Sequence, residues 1–193
     1  AMRTRTPICL QVILLLVAVT STAGAIAPDQ PVTREDDAQS LYAQARRCIG
    51  ALGLTLKREV PLKFRTRDEV SVENNGRGGR AMELDGFYRP YNPEEIWVVS
   101  GLSAARTLGV MAHEMTHCWQ SDNAPLQDRK LTEGFARWVQ YHVMLDAGYT
   151  AEATSLTRHG DDDYRGGLLA LLEMEKQRGV QGVIEFARTA PRF

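Results

Sequence analysis

An excess of charge of either sign is missing from this sequence: 23 Lys and Arg stand against 24 Asp and Glu in 193 residues, a formal net charge of −1. With no basic surplus and no Lys/Arg-rich run, the chain has no field to hold a phosphate backbone, which excludes nucleic acid as a partner. Cysteine is scarce at three residues, too few for a cysteine-rich zinc module. There is no internal repeat. Nor is there an apolar run long enough to span a bilayer, which needs about 20 residues; residues 8–19 come nearest and are broken by Gln11. What is there, at 44% hydrophobic residues, is the composition of one ordinary folded domain.

The short apolar run follows Arg3 and Arg5 and leads into Ala23-Gly24-Ala25, the order of a secretory signal peptide. The expectation is a signal peptide over residues 1–25, an exported (periplasmic or secreted) protein, and no stable membrane insertion after cleavage. Cys9 would leave with the leader. Cys48 and Cys118 would remain in a compartment that permits a bridge, and a bridge or two small buried apolar residues are both open readings.

Residues 26–37, with Pro28 and Pro31 and no apolar period, are expected to be a mobile N-terminal segment ahead of one domain over 38–193, and a candidate for blocking the cleft. Helical spacing of Leu41, Ala45, Cys48 and Ile49 predicts a helix over 36–50. Residues 60–65 alternate as a half-buried strand that Pro61 confines to an edge or a start. Residues 74–79 read as a turn, and 95–100 as the strongest strand in the chain, closed by Gly101. A peptide could pair with a free edge of that strand. Ser103 is placed to cap a long helix to about Ser121, and another helix runs from near Thr132 to Gly148. A short segment from Ala151 leads to the acidic stretch Asp161-Asp162-Asp163, read as a solvated loop. Two last helices, 167–178 and 180–188, are split at Gly179. Little strand and much helix make an α+β fold, a small sheet with a helix-rich remainder.

His113-Glu114-Met115-Thr116-His117 is H-E-x-x-H inside a predicted helix. Four residues advance a helix by just over one turn, so both imidazoles leave from one face and can grip one ion. Zinc, Zn2+, suits such nitrogens, and Glu114 beside them is placed to take a proton from a metal-activated water. With the His and Glu content of this chain, a chance match arises in about half a per cent of sequences. A catalytic zinc takes a third protein ligand. Glu133, in Leu131-Thr132-Glu133-Gly134, is the best candidate, because Pro125 marks a turn that folds its helix back and Gly134 permits close approach. No G-x-x-H follows His117, which argues against a metzincin. His142 reads as a satisfied helix-side histidine, and 168–172 as core.

Residues 95–101, Ala112-His113-Glu114-Met115-x-His117-x-Trp119, Thr132-Glu133-Gly134 and the late Tyr164-Arg165-x-Gly167 together resemble the peptidase domain of the plant DA-one family, ubiquitin-activated LIM peptidases, over nearly the whole chain from about Ser40. The resemblance implies a zincin-like (gluzincin) fold whose active-site helix carries the motif, with His113, His117 and Glu133 as ligands and Glu114 as general base. Tyr164 with Arg165 is the first candidate to stabilise the oxyanion, ahead of His159 and Tyr141. The expected partner is a peptide or protein substrate, and this chain is similar to a stand-alone, exported bacterial-type relative. The alternative is a non-catalytic zinc-binding protein that keeps the fold to recognise peptides. Oligomeric state has no signature in the sequence.

Overall fold

The computed structural model describes residues 26–75 and 84–193; the leader expected over 1–25 and most of the turn expected over 74–79 lie outside the described residues. The architecture is α+β, with six α-helices and one three-stranded sheet among the described residues. In chain order these are α1 (Glu35–Ala51), β1 (Leu62–Arg65), α2 (Arg67–Asn75), β2 (Gly86–Arg89), β3 (Glu95–Val99), α3 (Ala104–Asn123), α4 (Arg129–Asp146), α5 (Thr150–Leu156) and α6 (Gly167–Thr189). One turn of π-helix, Asp162–Gly166, precedes α6.

The sheet runs β1-β3-β2, with β1 parallel and β2 antiparallel to β3. Pro61, which has no N–H to give a ladder, stands just before an edge strand. β3 is the middle strand, so the free edge expected for peptide pairing is not there: β1 and β2 occupy both sides, and among the described residues the open edges are theirs. Phe87 and Trp97, directly opposite across β2 and β3, stack with ring centroids 5.8 Å apart. Arg89 and Glu95, another opposite pair, make a buried ion pair that Glu73 extends. Asn74 and Asn75 end α2 and do not turn.

α3 is the centre of the fold. Ser103 caps it by accepting from the Arg106 N–H, and from Ala104 to Gln120 nearly every side chain is buried, as the apolar residues around the motif require. α1, α4 and the sheet surround it, and Trp119 meets Phe135 of α4 at 5.6 Å between ring centroids. α4 starts three residues earlier than its apolar period indicates, because Asp128 accepts from the Leu131 N–H. Gly148, with φ +81°, ends it in the left-handed conformation. α6 is broken at Gly179, where φ is +68° and ψ 174°.

Within the segment 26–37, expected to be mobile, residues 28–32 make backbone hydrogen bonds to the start of α3. Val32 N donates to Leu102 O and Gly101 N to Val32 O, while Ala104 N and Ala105 N donate to Gln30 O and Pro28 O. Val32 is 1% exposed. A single apolar anchor plus the unpaired backbone at the start of a buried helix outweighs the proline-rich composition. None of these residues lines the cleft described below, so a blocking role is not what their placement supports. Cys48 and Cys118 are free thiols, not a bridge: Cys48 donates to Asp146 at 3.0 Å and Cys118 faces Glu94. Among the described residues no helix is long and apolar enough to cross a membrane.

Candidate metal centre and cleft

One turn apart on α3, His113 and His117 bring their Nε2 atoms within 3.1 Å of each other. Glu133, in the second turn of α4, places Oε2 at 3.2 Å from His113 Nε2 and 3.5 Å from His117 Nε2. The three form a group that could hold a metal ion. They fit zinc: donors at about 2.0–2.1 Å in tetrahedral array lie about 3.3–3.4 Å apart, and the three observed separations bracket that value.

What puts Glu133 there is backbone contact. A Cβ on Gly134 would lie 2.6 Å from Gly167 Cα, and one on Gly167 would lie 2.6 Å from Gly134 Cα. Only two facing glycines allow α4 and the start of α6 to touch in this way. The contact also delivers the π-turn and its Tyr164 to the same place. Asp161 accepts from the Tyr164 N–H, Asp162 pairs with Lys130 at 2.8 Å, and Asp163 pairs with Arg129 at 3.2 Å. The acidic stretch is therefore the fastening of the tyrosine to α4. Tyr164 lies nearly parallel to His113, ring centroids 5.9 Å apart. Burial, then the negative charge of Glu133, push its hydroxyl up to about 12, so it stays protonated at neutral pH.

A chain of amides that the sequence reading missed orients His117. Its Nδ1 lies 2.9 Å from Gln120 Oε1, and since that oxygen only accepts, Nδ1 carries the proton and Nε2 is left to face His113 and Glu133 as a candidate metal donor. The Gln120 amide cannot be turned the other way, because its Nε2 donates to Thr132 O and to Gln127 Oε1. Gln127 in turn donates to Ala187 O and Ala190 O at the end of α6. A polar residue three positions after the second histidine was the available signal. Without metal, burial lowers the affinity of His117 for a second proton, but the Glu133 hydrogen bond and the charges of Glu114 and Glu133 outweigh it and push its pKa up to about 9. Burial works against the Glu133 carboxylate as well, and the two histidines overcome it, holding that group well below the ordinary carboxylate range.

Beside the triad opens a cleft of about 750 Å³, walled by α3, α4, α5, the turn and the start of β2, in which His113, Glu114, Arg137, His159 and Tyr164 meet. Glu114 is 7% exposed and makes no hydrogen bond among the described residues. Arg165 is not brought to the cleft. It is exposed, because successive residues of a helical turn project in different directions and Tyr164 takes the inward one. Its place is taken by Arg137, which sequence reading passed over. Tyr141 is also outside the cleft, and His142 is engaged by Glu175 at 2.9 Å and by the Trp138 edge. Cys118 is fully buried away from it.

Comparison with known proteins gives one family. The model of the BSP family, described as peptidase of plants and bacteria, matches residues 58–184, which include β1 to β3, the motif helix, Glu133 and Tyr164. No curated protein and no solved structure matches. The family match runs over more than half of the chain and agrees with the resemblance to the DA-one peptidase domain, and on it this protein belongs to the BSP family of peptidases of plants and bacteria.

Proposed function

We propose that the protein is a zinc-dependent metallopeptidase of the gluzincin type, with His113, His117 and Glu133 as ligands and Glu114 as general base, exported by the leader at residues 1–25. The observation that carries this reading is the convergence of two α3 histidines and one α4 carboxylate at zinc-like spacing, beside an unengaged glutamate that faces a cleft. A purely structural zinc site takes four protein ligands and has no use for a base.

Bound zinc would polarise the scissile carbonyl and make water acidic enough to attack at neutral pH. The remaining work falls to the protein. Glu114 accepts the proton of the attacking water and passes it to the leaving amine, a transfer for which a carboxylate without hydrogen-bond partners is free. Tyr164, protonated and held beside His113, donates to the oxygen on which negative charge develops. Gln120 fixes the ring of His117, so the ligand face does not have to reorganise. Backbone N–H and C=O groups on the open edge of β2, whose Gly86 enters the cleft wall, can receive an extended peptide.

The test is metal analysis and peptide cleavage on the same preparations of wild type, Glu114→Gln, His117→Ala and Glu133→Ala. One zinc per chain in wild type and Glu114→Gln, lost from the other two, with chelator-sensitive cleavage by wild type alone, is the expected result. Equal peptide binding and no cleavage by zinc-loaded wild type would favour the alternative, a protein that holds zinc and only recognises peptides. Absence of zinc from wild type overturns both.

A further inference from the structure

Arg137 differs from the cations beside it on α3 and at the start of α4. Arg106 is neutralised by Asp85, Arg129 by Asp163 and Lys130 by Asp162. Arg137 has no carboxylate within ion-pair distance among the described residues. Its one hydrogen bond runs from Nη2 to the His159 carbonyl at 2.9 Å, and its guanidinium lies 5.9 Å from the Tyr164 ring centroid. Its Nε is the one buried side-chain polar atom among the described residues that has no partner. Burial accordingly lowers the pKa of the group. A guanidinium taken partly out of water with no ion-paired carboxylate, Asp161 acting on it only from beyond ion-pair distance, is a standing cost, and this one lines the cleft that His113, Glu114 and Tyr164 also line. Loading the metal centre does not relieve it, since a dication is balanced by Glu133 and Glu114.

We propose that Arg137 is the anchor for a carboxylate of the substrate peptide. The inference rests on the peptidase reading of the cleft and adds a substrate class to it. Arg137 follows Glu133 by four residues on α4, just over one helical turn or about 6 Å along the axis. An extended peptide covers about 3.3–3.6 Å per residue, so the anchored carboxylate belongs one or two residues from the scissile bond. Two sources supply that chemistry: the C-terminal carboxylate of a peptide from which one or two residues are removed, or an Asp or Glu side chain at that distance. Guanidinium and carboxylate match in a fork of parallel hydrogen bonds, and the desolvated setting strengthens them.

The experiment uses the full chain loaded with zinc and carrying Glu114→Gln, with and without Arg137→Gln or Arg137→Lys. Binding of short N-acetylated alanine peptides is followed by calorimetry in three forms: free acid, C-terminal amide, and amide with one internal Glu. The same peptides are offered to wild type for cleavage. A charge-assisted pair predicts about 10- to 100-fold tighter binding of one carboxylate form than of the plain amide. That preference should be lost with Gln and partly kept with Lys, the amide form losing far less affinity than the preferred carboxylate form. Preference for the free acid assigns the terminal carboxylate, and preference for the internal Glu assigns the side chain. Equal binding of all three forms overturns the anchor, as does equal loss for all three in Arg137→Gln, which marks a residue that only clamps Tyr164 and His159. Absence of any binding overturns it too. If the preference is seen and wild type cleaves nothing, the anchor stands and the peptidase reading falls; cleavage without preference is the reverse.

Discussion

Replacing Gly134 by alanine isolates the contact that assembles the site. In the middle of a helix the exchange ordinarily stabilises by up to about 1 kcal/mol, since alanine is the better helix former. Here the new Cβ would meet Gly167 Cα at 2.6 Å and Gly167 C at 2.8 Å, against a carbon–carbon optimum of about 3.5–4.0 Å. Both obstructing atoms are backbone, so no rotamer change gives relief and the start of α6 must retreat by about 1 Å. Overpacking of this kind costs about 1–3 kcal/mol and here exceeds the propensity gain. The net loss should be about 1–2 kcal/mol, or about 2–8 °C in Tm at about 2–4 °C per kcal/mol for a domain of this size. The retreat also carries Tyr164 from His113, so cleavage should fall further than zinc content. Gly50→Ala is the control: it sits in α1 with nothing within 4 Å of its Cβ, and should leave Tm unchanged or raised. Melting followed by circular dichroism decides the matter. A Gly134→Ala protein that melts at or above wild type, while Gly50→Ala behaves as expected, refutes the glycine contact as the element that sets the geometry.

The amide chain predicts that Gln120→Ala lowers zinc affinity by about 10- to 100-fold with little change in secondary structure; competition with a chromogenic chelator measures it, and unchanged affinity would show that Gln120 does not orient His117. Gln127→Ala, at a residue bonded to none of His113, His117 and Glu133, should weaken zinc in the same direction by freeing the Gln120 amide. In the metal-free protein the raised pKa of His117 implies a stabilising His117–Glu133 pair that is fully present below pH 6.5 and lost as pH rises through about 9. The lowered Glu133 pKa contributes above the ordinary carboxylate value and is lost as pH falls below it. Zinc must displace the His117 proton, so apparent affinity should rise about tenfold per pH unit between about pH 6 and 8. Calorimetry in buffers of different ionisation enthalpy should count about one proton released, and pH-independent uptake would contradict it.

Periodicity made the helices legible in proportion to their burial. α3 and α4 carry long apolar patterns with cap residues and were visible as elements, and the histidine spacing on α3 follows from helical geometry alone. α2 was not seen although Thr66 and Glu69 form a capping box, each accepting from the other's backbone N–H. Its single buried residue, Val70, left no apolar stripe to find. β2 is four residues long and is held by its partner strand and the Arg89–Glu95 pair, neither of which is local in sequence. The same distinction separates the site residues. Glu133 could be singled out for the histidine group because zinc chemistry asks for a third ligand, and Gly134 because a glycine beside it implies close approach. Arg137 and Gln120 carry no such requirement. On a helical wheel each is an ordinary polar residue, and only the tertiary structure shows that one lacks a counter-charge and the other sits between two elements. Arg165 was misplaced for the converse reason: adjacency to Tyr164 in sequence is not adjacency in a turn.

The amide chain and the glycine contact place the burden of organisation on the protein. In a small zinc module the ion supplies the folding energy because there is little core. Here the helix that carries both histidines is surrounded by a core including Trp119, Phe135 and Trp138, all 1% exposed or less. Two of the three candidate donors and their neighbour are separately positioned: His117 by Gln120, Glu133 by the Gly134–Gly167 approach, and Tyr164 by Asp161 and the ion pairs of Asp162 and Asp163. Three of these supports converge on the few residues where α4 begins and α6 begins and ends. The site is therefore most easily deranged from α6, which contributes no ligand, since α6 holds Gln127 through its last carbonyls and Gly134 through its first residue. Changes along that helix should act on metal affinity and on tyrosine placement separately, according to which end they disturb.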